Sequence, residues 1–259
     1  MRKIVIFMAF ALIFAAGTVQ AKEWKKVRVA IEGAYPPFSS VTPEGELVGF
    51  DVDIAVALVE AMGAEPVLVT QAWDGMIPGL KARKYDTIIA SMSITEERLK
   101  TVDFSNKYYQ TPAKFMVKKG LIPVFSVDAL KGKKVGVQRE TVHDKYLTAV
   151  YGKDVKIVRF GSLDEAFLDV KAGRIDIVMA DSIALIDGFL NADEDGKNYE
   201  FVGPDMIDPA IFGPGIGAAV RKQDTDLKEK LNAAIVKIRE NGTYKKIQDK
   251  YFDFDVYGD

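Results

Sequence analysis

The chain of 259 residues contains no cysteine and a single histidine, His143. The first absence removes disulfide staples, thiolate nucleophiles and thiolate metal ligands. The second leaves no pair of imidazoles for a metal site and only one for Ser/His chemistry. Lys and Arg number 35 against 37 Asp and Glu, a formal net charge of −2. No basic tract breaks this balance, so the composition speaks against a nucleic-acid partner. Only one apolar run is long, Ile4 to Ala16, and it falls short of the roughly 20 residues of an unaided membrane span.

That run follows Arg2 and Lys3 and precedes a segment ending at Ala21, with the small residues Val19 and Ala21 flanking Gln20. This is the pattern of a secretory signal peptide, with cleavage expected between Ala21 and Lys22. Loss of Arg2 and Lys3 takes the formal charge from −2 to −4, and no cysteine stands at the cleavage position to carry a lipid. The expected product is soluble and exported, with the periplasm as its compartment. Its length of about 240 residues suits one or two domains, and 48% hydrophobic content is ample for packed cores.

Two stretches repeat each other. "LKARKYDTIIAS" (Leu80 to Ser91) and "VKAGRIDIVMAD" (Val170 to Asp181) each read as a basic helix end, a tight turn and a buried strand. "KKVRVAIE" (Lys25 to Glu32) and "KKVGVQRE" (Lys133 to Glu140) form a second matched pair that opens a βα run. The duplication predicts two copies of one α/β plan. Ligands of open α/β sheets bind beyond the carboxyl ends of the strands. Residues that end matched strands, Glu32 and Ser91 in one half and Gln138 to Glu140 and Asp181 in the other, are therefore expected to line one cleft.

Between Val27 and Ser91 strands alternate with helices expected at Val52 to Met62 and Met76 to Arg83, which implies a mostly parallel sheet. The second half repeats this, and Ser162 followed three residues later by Glu165 marks a helix start. The tail is different: "GIGAAVRK" reads as a strand and "TDLKEKLNAAIVKIRENG" as a long amphipathic helix, with no counterpart after Ser91. The chain is therefore expected to return to the first half. The crossings fall near Tyr109 to Pro112 and Gly203 to Gly213, where Pro and Gly cluster. The expected domains are a discontinuous first lobe, 22–110 with 209–259, and a second lobe, 111–208, after a signal peptide at 1–21.

"GFDVDIAVAL" (Gly49 to Leu58), "SITEER" (Ser93 to Arg98) and the closing "ENGTYKKIQDKYFDFDVYG" together resemble the bacterial family 3 extracellular solute-binding proteins of ABC importers. The subgroup most resembled binds lysine, arginine, ornithine and histidine, and the likeness runs the whole mature length. The resemblance implies a two-lobe periplasmic-binding-protein type II fold, each lobe a mostly parallel sheet flanked by helices, joined by a two-strand hinge. By position it implies that Glu32 meets the ligand's side-chain cation, with the aromatics Tyr35 and Trp73 beside it. Ser91 and Ser93 match the hydroxyl-bearing strand end, with Ala90 where many members have a further Ser. Arg98 matches the carboxylate clamp. In the second lobe the contacts match Gln138, the turn of Thr141, Val142 and His143, and Asp181, which takes the α-amino group. Two departures stand out: many members have "GST" or "GTT" where this chain has Glu140, Thr141 and Val142, and a family cysteine pair is replaced by Val59 and Pro66.

The chemistry of a free amino acid suits these residue types, because its two charges must be matched once water is expelled. A guanidinium such as Arg98 binds a carboxylate bidentately, although from position alone Arg98 reads equally as a surface arginine. Glu32 and Asp181 each end an apolar strand, either as turn caps or as partners for cations; two acids around one ligand imply a second cation beyond the ammonium. Trp73 and Tyr35 either pack in the core or stack on that cation. The Tyr35 to Phe38 loop, with its two prolines, leans toward exposure. Asp51 and Asp53 read as dipole partners of a helix N-terminus, and His143 as a polar cap.

The expected function is hinge closure around a cationic L-amino acid, arginine or ornithine first and lysine or histidine next, with delivery to an inner-membrane ABC permease complex. No catalytic residue, cofactor or metal is expected, and a monomer is. Two alternatives are an opine as ligand, permitted by Trp73, Ala90 and Val142, and a dehydratase on the same scaffold using Glu140 as acid.

Overall fold

A computed structural model describes residues 23–192 and 194–258; the expected cleavage site lies outside them. The strands are β1 (Lys26–Ile31), β2 (Ala34–Tyr35), β3 (Ser39–Val41), β4 (Leu47–Val48), β5 (Glu65–Thr70), β6 (Thr87–Ile88), β7 (Asp103–Tyr109), β8 (Ala113–Lys118), β9 (Lys134–Gln138), β10 (Lys156–Phe160), β11 (Ile177–Asp181), β12 (Tyr199–Met206) and β13 (Ile216–Val220). They form two five-stranded sheets, ordered β5-β1-β6-β13-β7 and β10-β9-β11-β8-β12, and a small sheet of β2, β3 and β4.

The two large sheets have one plan. β1 lies between its parallel neighbours β5 and β6, as β9 lies between β10 and β11. In each sheet the opposed strand is the one that arrives from the other lobe: β13 runs antiparallel to β6 and β7, and β8 to β11 and β12. Strands covered on both faces lose the alternation of a half-exposed strand. Accordingly β11 and β13 are buried at every position.

Helix Phe50–Ala61 packs on Thr225–Glu240 and Thr243–Tyr251, so the C-terminal helices lie over the first sheet. Leu227, Leu231, Ala234 and Ile238 form the buried stripe of the long helix at a spacing near 3.6 residues. Ser162 caps Leu163–Lys171 by accepting from the Glu165 N–H, while the Glu165 carboxylate reaches back to the Gly161 N–H at 2.7 Å. No helix of the described residues is long and apolar enough to cross a membrane.

The crossing segments are tightly fitted. A Cβ at Gly213, whose φ is +73°, would lie 1.7 Å from the Ile94 carbonyl oxygen, so only glycine permits this approach. Glu140 stands in the opposite situation, a residue with a side chain at φ +60° two positions after the end of β9. Its carboxylate is exposed, so the left-handed backbone costs energy without a side-chain contact to offset it. Glu140→Gly is expected to stabilise the unliganded protein by about 0.5–1 kcal/mol, a rise of roughly 1–4 °C in thermal melts. A lowered melting temperature would show that the Glu140 side chain does hold the turn.

Candidate functional site

The carboxyl ends of β1, β6, β9 and β11 converge on one cavity between the lobes. Glu32, Tyr35, Trp73, Ala90, Ser91, Ser93 and Arg98 line it from the first lobe; Gln138, Thr141, Val142, His143 and Asp181 line it from the second. Every residue singled out by the family resemblance therefore borders the same space. The lobes are closed on each other around it. Gln138 Nε2 donates to Glu32 Oε1 at 2.5 Å, Arg98 Nη2 donates to the Glu140 carbonyl at 3.4 Å, and Arg139–Asp74 and Lys145–Glu97 ion pairs span the rim.

Arg98 is the buried cation of the site, 6% exposed. It sits in the short helix Glu96–Leu99, capped by Thr95. Its Nη1 donates to the Ser93 carbonyl at 2.8 Å and its guanidinium lies 5.3 Å from the Trp73 ring centroid. Burial lowers its pKa to about 10, opposed by the nearby Glu97. It forms no salt bridge among the described residues, which leaves a fixed positive charge available to an anion. Trp73 thus supports the protein's own arginine, in addition to any contact it makes with a ligand.

The acids are displaced the other way. Burial pushes Glu32 up to about 8, with Asp164, Asp51 and Asp74 adding repulsion against the relief from Gln138. Burial likewise pushes Asp181 up to about 6, opposed by the Thr111 hydroxyl and the Ile183 and Ala184 N–H groups. Asp181 Oδ1 caps Ser182–Leu185 and Oδ2 accepts from Thr111. It is therefore both a strand-end cap and a cavity carboxylate. Near neutral pH the neutral form is thus favoured for Glu32 until a cation arrives, whereas Asp181 stays mostly ionised.

Asp51 and Asp53 stand in the first turn of Phe50–Ala61, as expected, but packing gives each a further partner, and other expectations are corrected. Asp51 is fully buried, with its carboxyl accepting from Ser91 Oγ and Tyr108 Oη, both at 2.8 Å, and burial raises it to about 7. It anchors Ser91, whose φ is +52°, from behind the cavity wall. Asp53 instead meets Lys250 and Tyr251. The Tyr35 to Phe38 loop is not exposed: Tyr35 and Phe38 are buried, and Phe38 stacks on Tyr109 at 4.8 Å. The prolines shape the backbone, but the two aromatic rings decide its burial. His143 is not the cap of its helix; Thr141 is, accepting from the Asp144 N–H while its hydroxyl donates to the Gln138 carbonyl. His143 instead faces Phe212, and burial with the nearby Arg98 lowers its pKa to about 4.

Arg139 and Glu140 are also corrected. Both are exposed and neither side chain lines the cavity, because Gln138 ends β9 and the backbone turns left at Glu140. An acid there has no access to a leaving group in the cleft. Residues of the crossings complete the walls: Tyr109, Gln110 and Thr111 from one, Met206, Ile207, Pro209, Phe212, Gly213 and Gly215 from the other. The Pro and Gly clusters located these segments but not their place in the cavity wall.

The family of bacterial extracellular solute-binding proteins, family 3, matches residues 27–254. The chain is 51% identical over 259 residues to an L-arginine-binding protein of Pseudomonas aeruginosa, covering 100% of this chain and 99% of the relative. It is 38% identical over 260 residues to a histidine-binding periplasmic protein of Escherichia coli strain K12, covering 100% of both chains. Among solved structures, an ancestral arginine-binding protein bound to glutamine superposes with a TM-score of 0.82 at 36% identity, covering 90% of this chain and 100% of the other.

Proposed function

Because the chain belongs to the bacterial extracellular solute-binding proteins, family 3, we propose that it captures a cationic L-amino acid, arginine or ornithine ahead of lysine and histidine, by closing its lobes. The observation that carries this reading is the charge pattern of one cavity: the buried guanidinium of Arg98 faces the same space as the buried carboxyls of Glu32 and Asp181. An amino acid with a cationic side chain has one anion and two cations, the complement of that set. Arg98 takes the α-carboxylate, Asp181 the α-ammonium and Glu32 the side-chain cation. Gln138, Tyr35, Trp73, Ala90, Ser91, Ser93, Thr141, Val142 and His143 supply the remaining walls. Guanidinium is planar and weakly hydrated, which favours arginine over lysine beside Tyr35 and Trp73. The names of the two curated relatives support the same class of ligand.

The chain acts in this reading as a binding protein without chemistry of its own, a monomer that is exported, cleaved after Ala21 and delivers its ligand to an inner-membrane permease complex. The first lobe comprises residues 22–110 and 209–259 and the second 111–208. The connections β7 to β8 and β12 to β13 are the hinge. The sheet order supports this division, since each connection joins strands of different sheets. Hinge closure would then complete a site that neither lobe forms alone.

Calorimetry of the mature protein is the direct test. Arginine is expected to bind at least about 30-fold more tightly than glutamine, since only arginine gives Glu32 a cation. Glutamine is the informative competitor because an ancestral arginine-binding relative is known bound to it. Equal or tighter binding of glutamine would overturn the reading.

A further inference from the structure

Tyr109 ends β7 at the first crossing, fully buried, and lines the cavity. Its ring is locked in place, stacked on Phe38 at 4.8 Å and edge-on to Phe50 at 5.7 Å and Tyr108 at 5.2 Å. Its hydroxyl has no hydrogen-bond partner among the described residues. The other buried side-chain atoms in that condition, Arg221 Nε and Asp224 Oδ2, belong to residues joined in a salt bridge of 2.5 Å and lie outside the cavity lining. Tyr109 alone combines an orphan polar atom with a place in the cavity wall, and a buried hydroxyl left unpaired is unfavourable.

The surroundings define what this hydroxyl would meet. Ser91 is close enough to ease the phenol's ionisation, but no hydrogen-bond geometry joins the two, and the Ser91 proton goes to Asp51. Burial, then Asp51, Tyr108 and Asp181 hold the phenol protonated. From Tyr109 the crossing strand runs directly to Asp181: Thr111 donates to the Asp181 carboxylate, the Ser182 N–H donates to the Pro112 carbonyl at 2.9 Å, and Ala113 pairs with Asp181 in the sheet. The charged groups that act on the phenol are thus the acids Asp51, behind the wall, and Asp181, in the cavity. A group suited to this position donates protons.

We infer that Tyr109 is a ligand contact carried by the hinge, its hydroxyl oxygen accepting a hydrogen bond from the α-ammonium group of the bound amino acid. This rests on the cationic-amino-acid reading for the identity of the ligand, but the contact is to a group that every amino acid has. It places a polar recognition atom on the segment that bends when the lobes close.

The test is Tyr109→Phe, which keeps the ring and its stacking and removes one oxygen. Affinity for arginine and for its neutral analogue citrulline is expected to fall alike, by about tenfold, the worth of a hydrogen bond to a charged group. The melting temperature of the unliganded variant is expected to stay level or rise, because an unpaired buried hydroxyl has been removed. Unchanged affinity for both ligands would overturn the inference. So would a loss confined to arginine, which would move the contact to the side-chain end. A lower melting temperature without ligand would do the same, since the hydroxyl would then have a partner within the protein. If the wild type prefers glutamine, the cationic reading fails while Tyr109→Phe still decides the contact, measured against glutamine.

Discussion

Arg98→Ala is expected to reduce affinity for arginine by roughly 2–5 kcal/mol, a loss of at least about 30-fold. The guanidinium is held within its own lobe by the Ser93 carbonyl and the Trp73 ring, and in the closed form also by the Glu140 carbonyl. Its removal therefore deletes the counter-charge and the preorganisation together. Because the α-carboxylate is common to all amino acids, arginine, citrulline and glutamine should suffer alike. Arg98→Lys should recover only part of the loss, since an ammonium restores charge but not the bidentate fork or the planar contact with Trp73. Asp181→Asn should resemble Arg98→Ala in striking every amino acid. An amide oxygen at Asp181 still accepts from the Ile183 and Ala184 N–H groups, so the cap of Ser182–Leu185 survives while the charge facing the α-ammonium is lost. Titration calorimetry of both variants, with melting curves of the unliganded proteins as controls, checks this. Arginine binding by Arg98→Ala within threefold of wild type would remove Arg98 from the site.

Glu32→Gln is expected to behave differently. It should weaken arginine and ornithine by about 2–4 kcal/mol while leaving citrulline nearly untouched, because only a cationic side chain loses its partner. The same carboxyl makes binding pH-dependent. Burial raises Glu32 from an ordinary 4.5 to about 8, so the unliganded closed protein holds this group protonated near neutrality. A carboxyl whose pKa is raised on folding contributes stability that is lost as pH climbs through the folded value, and the unliganded closed form should weaken between about pH 5 and 8. A guanidinium beside Glu32 reverses the preference and expels the proton. Arginine affinity should therefore rise from pH 6 to pH 8, and binding heats in buffers of different ionisation enthalpy should reveal proton release. Glu32→Gln should flatten both effects, leaving the smaller contribution of Asp181, whose raised pKa of about 6 titrates earlier. If Glu32→Gln penalises citrulline as much as arginine, Glu32 does not serve the side-chain end.

The paired sheets were legible in the repeats because buried parallel strands leave unbroken apolar runs, as in "TIIAS" and "DIVMAD", and both repeats fold at equivalent places in their sheets. The second match was less literal. Glu32 and Glu140 occupy equivalent sequence positions, yet one points into the cavity and the other into solvent. Where the first repeat has Gly33 at φ +77°, the second turns left one residue earlier, at Glu140 itself. A single dihedral decides which side chain follows the strand into the cleft, and the spacing of apolar residues carries no record of it. The strand expected to reach Ser91 ends its ladder at Ile88 for a related reason, since Ser91 is also left-handed and bound to Asp51.

Asp51 shows the other kind of gap. At a helix start an acid has a sufficient local explanation in the helix dipole, and only packing of Tyr108 and Ser91 around it makes it a buried anchor. Tyr109 and the second crossing were flagged as connections, but a connection can border a site or avoid it with the same Pro and Gly content.

By itself the sequence determined the covalent and compositional limits: no thiol chemistry, no basic tract, apolar strands enough for two sheets, and the residue types that carry the resemblance to a solute-binding family. These properties are local, set by side-chain chemistry and by periodicities of two and 3.6 residues. Tertiary structure decided which charges are buried together, and hence that Arg98 is a waiting cation, that burial raises the pKa of both Glu32 and Asp181, and that the Tyr109 hydroxyl lacks a partner. The reason is physical: desolvation and hydrogen-bond satisfaction depend on groups distant in the chain, as Glu32 and Gln138 are, 106 residues apart and 2.5 Å in contact.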